Sequence, residues 1–122
     1  MKIEEYDKAF DLDVRALVNI TIECLPLILK SKGHILNIST IGATHRYPNL
    51  SMHCGAKAAF DNFTKCWTQE LANDGVRFNA IVPGVIETNI WNVIDLSPEM
   101  PKSIKNLWKL IFIVVDLEHQ TK

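Results

Sequence analysis

The sequence has 122 residues, a length that suits one folded domain. Thirteen Lys and Arg against fourteen Asp and Glu give a net charge of −1, so the chain lacks the basic surface that nucleic-acid binding needs. A hydrophobic fraction of 48% excludes long disorder, and the longest apolar run, residues 110–115, is far shorter than the roughly 20 residues of a membrane span. We therefore expect a cytoplasmic globular protein with neither nucleic-acid nor membrane partners.

The first 33 residues predict one long helix and its end. Apolar residues recur with a period near 3.6 over residues 6–30, which is typical of an amphipathic helix. The sequence Ser31-Lys32-Gly33 follows, and we expect Gly33 to adopt the left-handed conformation that ends many helices.

A strand, a helix and a second strand are predicted next. Residues 34–39 form a short apolar run that favours a strand buried on both faces of a parallel sheet, and residues 76–82 form another. Residues 51–72 between them carry a second helical stripe. The order predicts one βαβ unit, for which a right-handed crossover is the rule. Residues 103–117 allow either a short helix or a strand at 110–115.

Cys24, Cys54 and Cys66 are odd in number and have no spacing typical of a metal site. We interpret them as reduced thiols that fill the core, and we predict no metal.

Three sequence motifs together resemble the second half of the short-chain dehydrogenase/reductase domain. They are GHILNIST at 33–40 with Gly42, GAKAA at 55–59 and GVRFNAIVPG at 75–84. The order and spacing match over residues 6–91 and are most similar to carbonyl and 3-oxoacyl reductases. The resemblance implies a partial Rossmann-type doubly wound α/β fold and a cofactor that is NAD or NADP. We expect a single partial domain over 1–122, with 92–122 as a divergent, irregular tail.

The resemblance also implies a set of catalytic residues. Family members use a Tyr and, four residues later, a Lys; here His53 stands at the Tyr position and Lys57 is present. The family's Ser position holds Thr40, with Ser39 beside it, and the family's Asn in the preceding helix aligns with Asp13. Whether His53 replaces the Tyr as proton donor or is only a polar residue on the helix surface stays open.

The implied cofactor contacts are Lys57, Pro83, Gly84 and Thr88. The glycine-rich turn that receives the cofactor's pyrophosphate in this family does not occur in the sequence. We therefore predict an oxidoreductase-derived chain that is inactive as given, because that turn and the catalytic Tyr are missing.

Two alternatives remain. One is an active reductase with His53 as proton donor in a longer native chain. The other is a non-catalytic interaction protein that uses helices 6–30 and 51–72 to associate with itself or with an intact relative. The apolar side chains expected to face the other chain are Val14, Leu17, Val18, Phe60, Phe63 and Trp67.

Overall fold

The computed structural model describes residues 2–84, residue 86 and the backbone of residues 113–115. The chain begins with a continuous helical segment made of α1 (Ile3–Phe10), a π-helical turn (Asp11–Arg15) and α2 (Ala16–Ser31). The predicted helix over residues 6–30 is confirmed. The π-helical turn within it is a feature that the apolar period does not reveal.

The end of α2 differs from the expectation in one residue. Lys32, with φ of 52°, takes the left-handed conformation, and not Gly33. The amide of Gly33 donates a hydrogen bond to the carbonyl of Ile28 at 2.9 Å, which satisfies a carbonyl at the helix end. A Cβ at position 33 would lie 3.1 Å from Oγ of Ser31, so the glycine serves close approach and not a positive φ.

The sheet has three strands in the order β1-β2-β3. Strands β1 (His34–Ile38) and β2 (Arg77–Val82) are parallel, and α3 (Ser51–Glu70) connects them. This confirms the predicted strand–helix–strand order and the partial Rossmann-type α/β fold.

Strand β3 (Ile113–Val115) pairs antiparallel with β2, with Ile113 opposite Val82 and Val115 opposite Ala80. The strand alternative is therefore correct for these three residues, and the predicted tail is not wholly irregular. The rest of 103–117 lies outside the described residues.

Only one face of β1 is covered, which contradicts the prediction that both faces are buried. Asn37 points to α3, where its Nδ2 donates a hydrogen bond to Oγ1 of Thr64 at 2.8 Å. Leu36 and Ile38 on the opposite face are 49% and 54% exposed. The physical reason is that α3 packs on one side, while the described elements leave the other side open.

The core lies between α3 and β2. Ala56, Phe60 and Phe78 are at most 1% exposed, and the Trp67 ring packs against Phe78 with centroids 5.9 Å apart. The expectation that Phe60 faces another chain is therefore wrong, because this ring fills the space between α3 and the sheet.

The cysteines do not behave as core residues. Cys24 and Cys66 are exposed, and Cys54 is partly buried. Cys24 and Cys66 belong to the apolar stripes of their helices, but the described residues leave those parts of the helix surface uncovered.

Within the residues described, no helix combines the length and apolar character needed to cross a membrane. In that same part of the chain, no three His, Cys, Asp or Glu side chains are grouped so that they could hold a metal ion.

Candidate functional site

The carboxyl ends of the two parallel strands meet at one edge of the sheet. The amide of Ser39, just after β1, donates to the carbonyl of Ile81 at 2.8 Å. The amide of Ile41 donates to the carbonyl of Pro83 at 2.9 Å. These two hydrogen bonds hold the residues after β1 beside Pro83 and Gly84, so two parts of the predicted site lie together. Thr88 lies outside the described residues.

Three charged or titratable side chains form the Asp13 cluster, which consists of Asp13, His53 and Lys57. His53 and Lys57 are four residues apart on α3 and therefore share one face of the helix. Nδ1 of His53 lies 2.8 Å from Oδ2 of Asp13, and Nζ of Lys57 lies 3.4 Å from Oδ1 of the same carboxylate. The structure thus brings together three residues that the sequence places 40 and 4 positions apart.

The π-helical turn positions the carboxylate of this cluster. Asp13 is the middle residue of Asp11–Arg15, and this turn packs against α3. A π-helical turn is wider than an α-helical one and is frequent at functional sites. Sequence reasoning identified Asp13 but missed its pairing with His53. A π-helical turn leaves no mark in the apolar period that could have revealed it.

Lys57 is held at the end of β1 by two acceptors. In addition to Asp13, its Nζ donates to the carbonyl of Ile38 at 3.3 Å. The Lys57 and Asp13 side chains are 14% and 18% exposed, whereas the His53 side chain is 45% exposed. An ammonium group has three donors, so one N–H of Lys57 remains for a further partner.

The two hydroxyl candidates differ in their hydrogen bonds. Oγ1 of Thr40 accepts a hydrogen bond from the amide of Gly42 at 3.2 Å, which caps the short 3₁₀ turn Ile41–Ala43. Oγ of Ser39 is fully buried and has no hydrogen-bond partner among the described residues. No hydrogen bond joins either hydroxyl to the Asp13 cluster in this part of the chain.

A groove of about 360 Å³ lies between the loop after β1 and the start of α3, the helix that carries His53 and Lys57. Its lining includes Gly42, Arg46, Tyr47 and Cys54. A Cβ at Gly42 would lie only 3.0 Å from Sγ of Cys54, so a larger residue would push the loop away from α3. Burial raises the pKa of the Cys54 thiol above its ordinary value. Sequence reasoning did not identify this groove.

Comparison with known proteins identifies the family of this chain. The family model described as enoyl-(acyl carrier protein) reductase matches residues 1–110. The 3-oxoacyl-(acyl-carrier-protein) reductase of Thermotoga maritima is 33% identical over 89 residues, which cover 72% of this chain and 36% of the relative. The dehydrogenase/reductase SDR family member 4 of Sus scrofa is 36% identical over 92 residues, which cover 75% of this chain and 33% of the relative.

Solved structures give the same result. A short-chain dehydrogenase/reductase of unknown function from Caenorhabditis elegans, with cofactor, superimposes with a TM-score of 0.72 at 32% identity, covering 86% of this chain and 38% of that one. A 7α-hydroxysteroid dehydrogenase complexed with NADH and a 7-oxo bile acid gives a TM-score of 0.72 at 25% identity, covering 81% of this chain and 39% of that one. The chain spans little more than a third of the length of these proteins. It belongs to the short-chain dehydrogenase/reductase family.

Proposed function

We propose that this chain supplies the substrate-facing half of an NAD(P)-dependent oxidoreductase site, for carbonyl reduction or secondary alcohol oxidation. We further propose that the 122 residues form a single partial domain, with 92–122 as a divergent tail, and that on their own they do not turn over substrate. The observation that carries the proposal is the Asp13 cluster, which fixes Lys57 at the carboxyl end of β1.

The residues at this edge of the sheet fit the nicotinamide end of such a cofactor. Lys57 is oriented by two acceptors and retains one donor, which suits the hydroxyls of a ribose. Pro83, Gly84 and Thr88 are the further residues proposed to contact that end. When bound, a nicotinamide cofactor supplies or accepts a hydride at its ring carbon C4.

The residues that the structure describes offer no comparable place for the cofactor's pyrophosphate. The described loop after β1 carries a single glycine, Gly42, in a 3₁₀ turn, and not the several glycines of a phosphate-binding turn. This is why we propose weak or no cofactor binding by the 122-residue chain alone.

Thr40 and Ser39 are proposed to bind the substrate oxygen. Oγ1 of Thr40 accepts from Gly42, so its own hydrogen stays available for donation to a carbonyl oxygen. Ser39 lies one residue earlier at the same strand end, and its buried hydroxyl has no hydrogen-bond partner among the described residues.

His53 is the residue that limits this site as a reductase. Its side chain is shorter than a tyrosine, and its Nδ1 is directed to Asp13 at 2.8 Å. A displacement of about 1 Å in a reacting group can cost on the order of 100-fold in rate. We therefore expect slow proton transfer in any longer chain that carries this segment.

Isothermal titration of the 122-residue chain with NADH and with NADPH tests the proposal, with the Thermotoga reductase as positive control. We expect no micromolar binding, and micromolar binding by this chain would contradict the proposed lack of cofactor binding. A chimera in which this chain replaces the matched segment of the Thermotoga reductase tests the site. There, Lys57→Met should abolish cofactor-dependent turnover and His53→Tyr should raise it; unchanged turnover in both variants would remove the Asp13 cluster from the proposal.

A second proposed function is association through the two long helices, with a second copy or an intact relative. The observation that favours it is an apolar groove of about 300 Å³ between the first helical segment and α3. Its lining includes Tyr6, Phe10, Val14, Val18 and Phe63. Exposed apolar surface of this kind usually marks an interface.

A further inference from the structure

We infer that Asp13 and His53 form a proton-exchanging dyad, in which Asp13 fixes the hydrogen of the neutral imidazole on Nδ1 and leaves Nε2 to exchange a proton with a substrate hydroxyl. The inference rests on the proposed function for its substrate class, a secondary alcohol or the corresponding carbonyl compound. Asp13 is then a positioning residue and His53 a catalytic one.

The geometry defines the tautomer. A carboxylate has only acceptors, so a hydrogen bond between Oδ2 of Asp13 and Nδ1 of a neutral His53 requires the hydrogen on Nδ1. The other ring nitrogen, Nε2, then carries the lone pair. It has no hydrogen-bond partner among the described residues, and 45% of the side chain is exposed.

The neighbouring charges keep Asp13 available for His53. Its second oxygen, Oδ1, lies 3.4 Å from Nζ of Lys57, so Oδ2 is left to contact His53. The nearest arginine in sequence does not compete, because Nε of Arg15 donates to Oδ1 of Asp11 at 2.7 Å. The carboxylate therefore bridges Lys57 and His53, and both contacts come from a side chain that is 18% exposed.

The proton chemistry of the dyad balances. In alcohol oxidation, Nε2 of neutral His53 would accept the hydroxyl proton. A nicotinamide cofactor held by Lys57 would supply the hydride acceptor, so that the O–H and C–H bonds break as the C=O bond forms. Asp13 stabilises the resulting imidazolium through Nδ1–H without itself becoming protonated, as in other carboxylate–histidine pairs. In the reverse direction the imidazolium returns the proton to the carbonyl oxygen. The exposed part of the ring gives the proton a route to solvent.

Nuclear magnetic resonance of the whole 122-residue chain with ¹⁵N-labelled histidine tests the tautomer without cofactor or turnover. Long-range ¹H–¹⁵N spectra at pH 8.5 distinguish the two neutral tautomers of each histidine, and His53→Gln assigns the signal. We expect His53 to be the Nδ1–H form, and Asp13→Leu should shift it to the Nε2–H form. The matched control Asp11→Asn removes a carboxylate from the same π-helical turn and should leave His53 unchanged.

A second measurement reports the reactivity of Nε2. Diethylpyrocarbonate modifies the unprotonated nitrogen of an imidazole, and mass spectrometry gives the rate at His53. In Asp13→Leu the unprotonated nitrogen is Nδ1, which faces position 13 and not solvent, so we expect this variant to react several-fold more slowly, while Asp11→Asn has no effect. Should Asp13→Leu fail to fold by circular dichroism, the unmutated chain decides alone, because an Nε2–H tautomer there overturns the dyad. Cofactor titration of the same samples is independent, so the proposed function and the dyad can fail separately.

Discussion

The two long helical regions of the chain both carry an apolar period but differ in burial. Helix α3 buries Ala56, Phe60 and Thr64 between the sheet and the first helical segment. Helix α2 is the more apolar of the two, yet Thr21 is its one buried residue. Ile20 and Leu27 on α2 are 61% and 72% exposed. Apolar content therefore does not decide burial in this chain; the presence of a facing surface does.

The difference in burial also bears on the position of the candidate site. The Asp13 cluster joins α3 to the π-helical turn, at the part of the first helical segment that packs on α3. Beyond that turn, α2 leads away from these contacts. The site therefore lies where the first helical segment packs on α3.

The largest expected effect tests the packing of α3 in the core. Phe60→Ala should lower the free energy of unfolding by about 3–5 kcal/mol, because it leaves a cavity against Trp67 in the core. Urea denaturation followed by tryptophan fluorescence measures it. Phe63→Ala is the matched control: this ring, three residues along α3, is 42% exposed and should cost much less. Equal losses would mean that α3 does not pack as described.

A smaller effect concerns the polar contact between α3 and β1. Thr64→Val removes the acceptor for Nδ2 of Asn37 and should cost about 1–3 kcal/mol, since the amide is left without its partner in a partly buried position. Thr68→Val is the control, because Oγ1 of Thr68 bonds only to the carbonyl of Thr64 within the helix. A Thr64→Val chain as stable as the unmutated one would show that this contact does not hold the strand.

Much of the fold could be predicted because it rests on local patterns. The apolar period of residues 6–30 and 51–72 and the short apolar strands are set by which side chains face inward. The open face of β1 could not be predicted in the same way. Leu36 and Ile38 carry the pattern of a buried strand, but no sequence period tells whether the described chain contains the element that covers them.

The candidate site was predictable as residues and not as contacts. Asp13, His53 and Lys57 follow from the family resemblance, which rests on motifs read along the sequence. Their joining through one carboxylate depends on the π-helical turn and on the packing of α1 and this turn against α3. The approach of Gly42 to Cys54 likewise depends on the path of a loop, which local propensities do not fix.

Association tests the apolar groove between the first helical segment and α3. If this groove is an interface, the soluble chain should be a dimer or larger. Phe63→Glu should then raise the dissociation constant of the dimer by at least about tenfold, or about 1.4 kcal/mol. Light scattering over a concentration series measures this. Trp67 is unsuitable for the test because its ring packs on Phe78 in the core.

Asn62→Glu is the control for that experiment, because it adds the same charge at the neighbouring exposed position on α3. It should leave the oligomer unchanged. A folded, unmutated chain that stays a 13.9 kDa monomer at all concentrations would contradict the interface.

The smallest expected effect is a difference in alkylation rate between single cysteine thiols on α2 and α3. Cys24 on α2 is exposed, whereas burial raises the pKa of Cys54 on α3 above its ordinary value. A raised pKa means less thiolate at a given pH, so iodoacetamide should alkylate Cys54 several-fold more slowly than Cys24 at pH 8. The stability that Cys54 contributes is present below its unfolded pKa and is lost as pH rises through its folded pKa. Peptide mass spectrometry gives both rates, with exposed Cys66 as a reference on the same helix as Cys54. Equal rates at Cys54 and Cys66 would show that burial at the start of α3 does not slow the alkylation of Cys54.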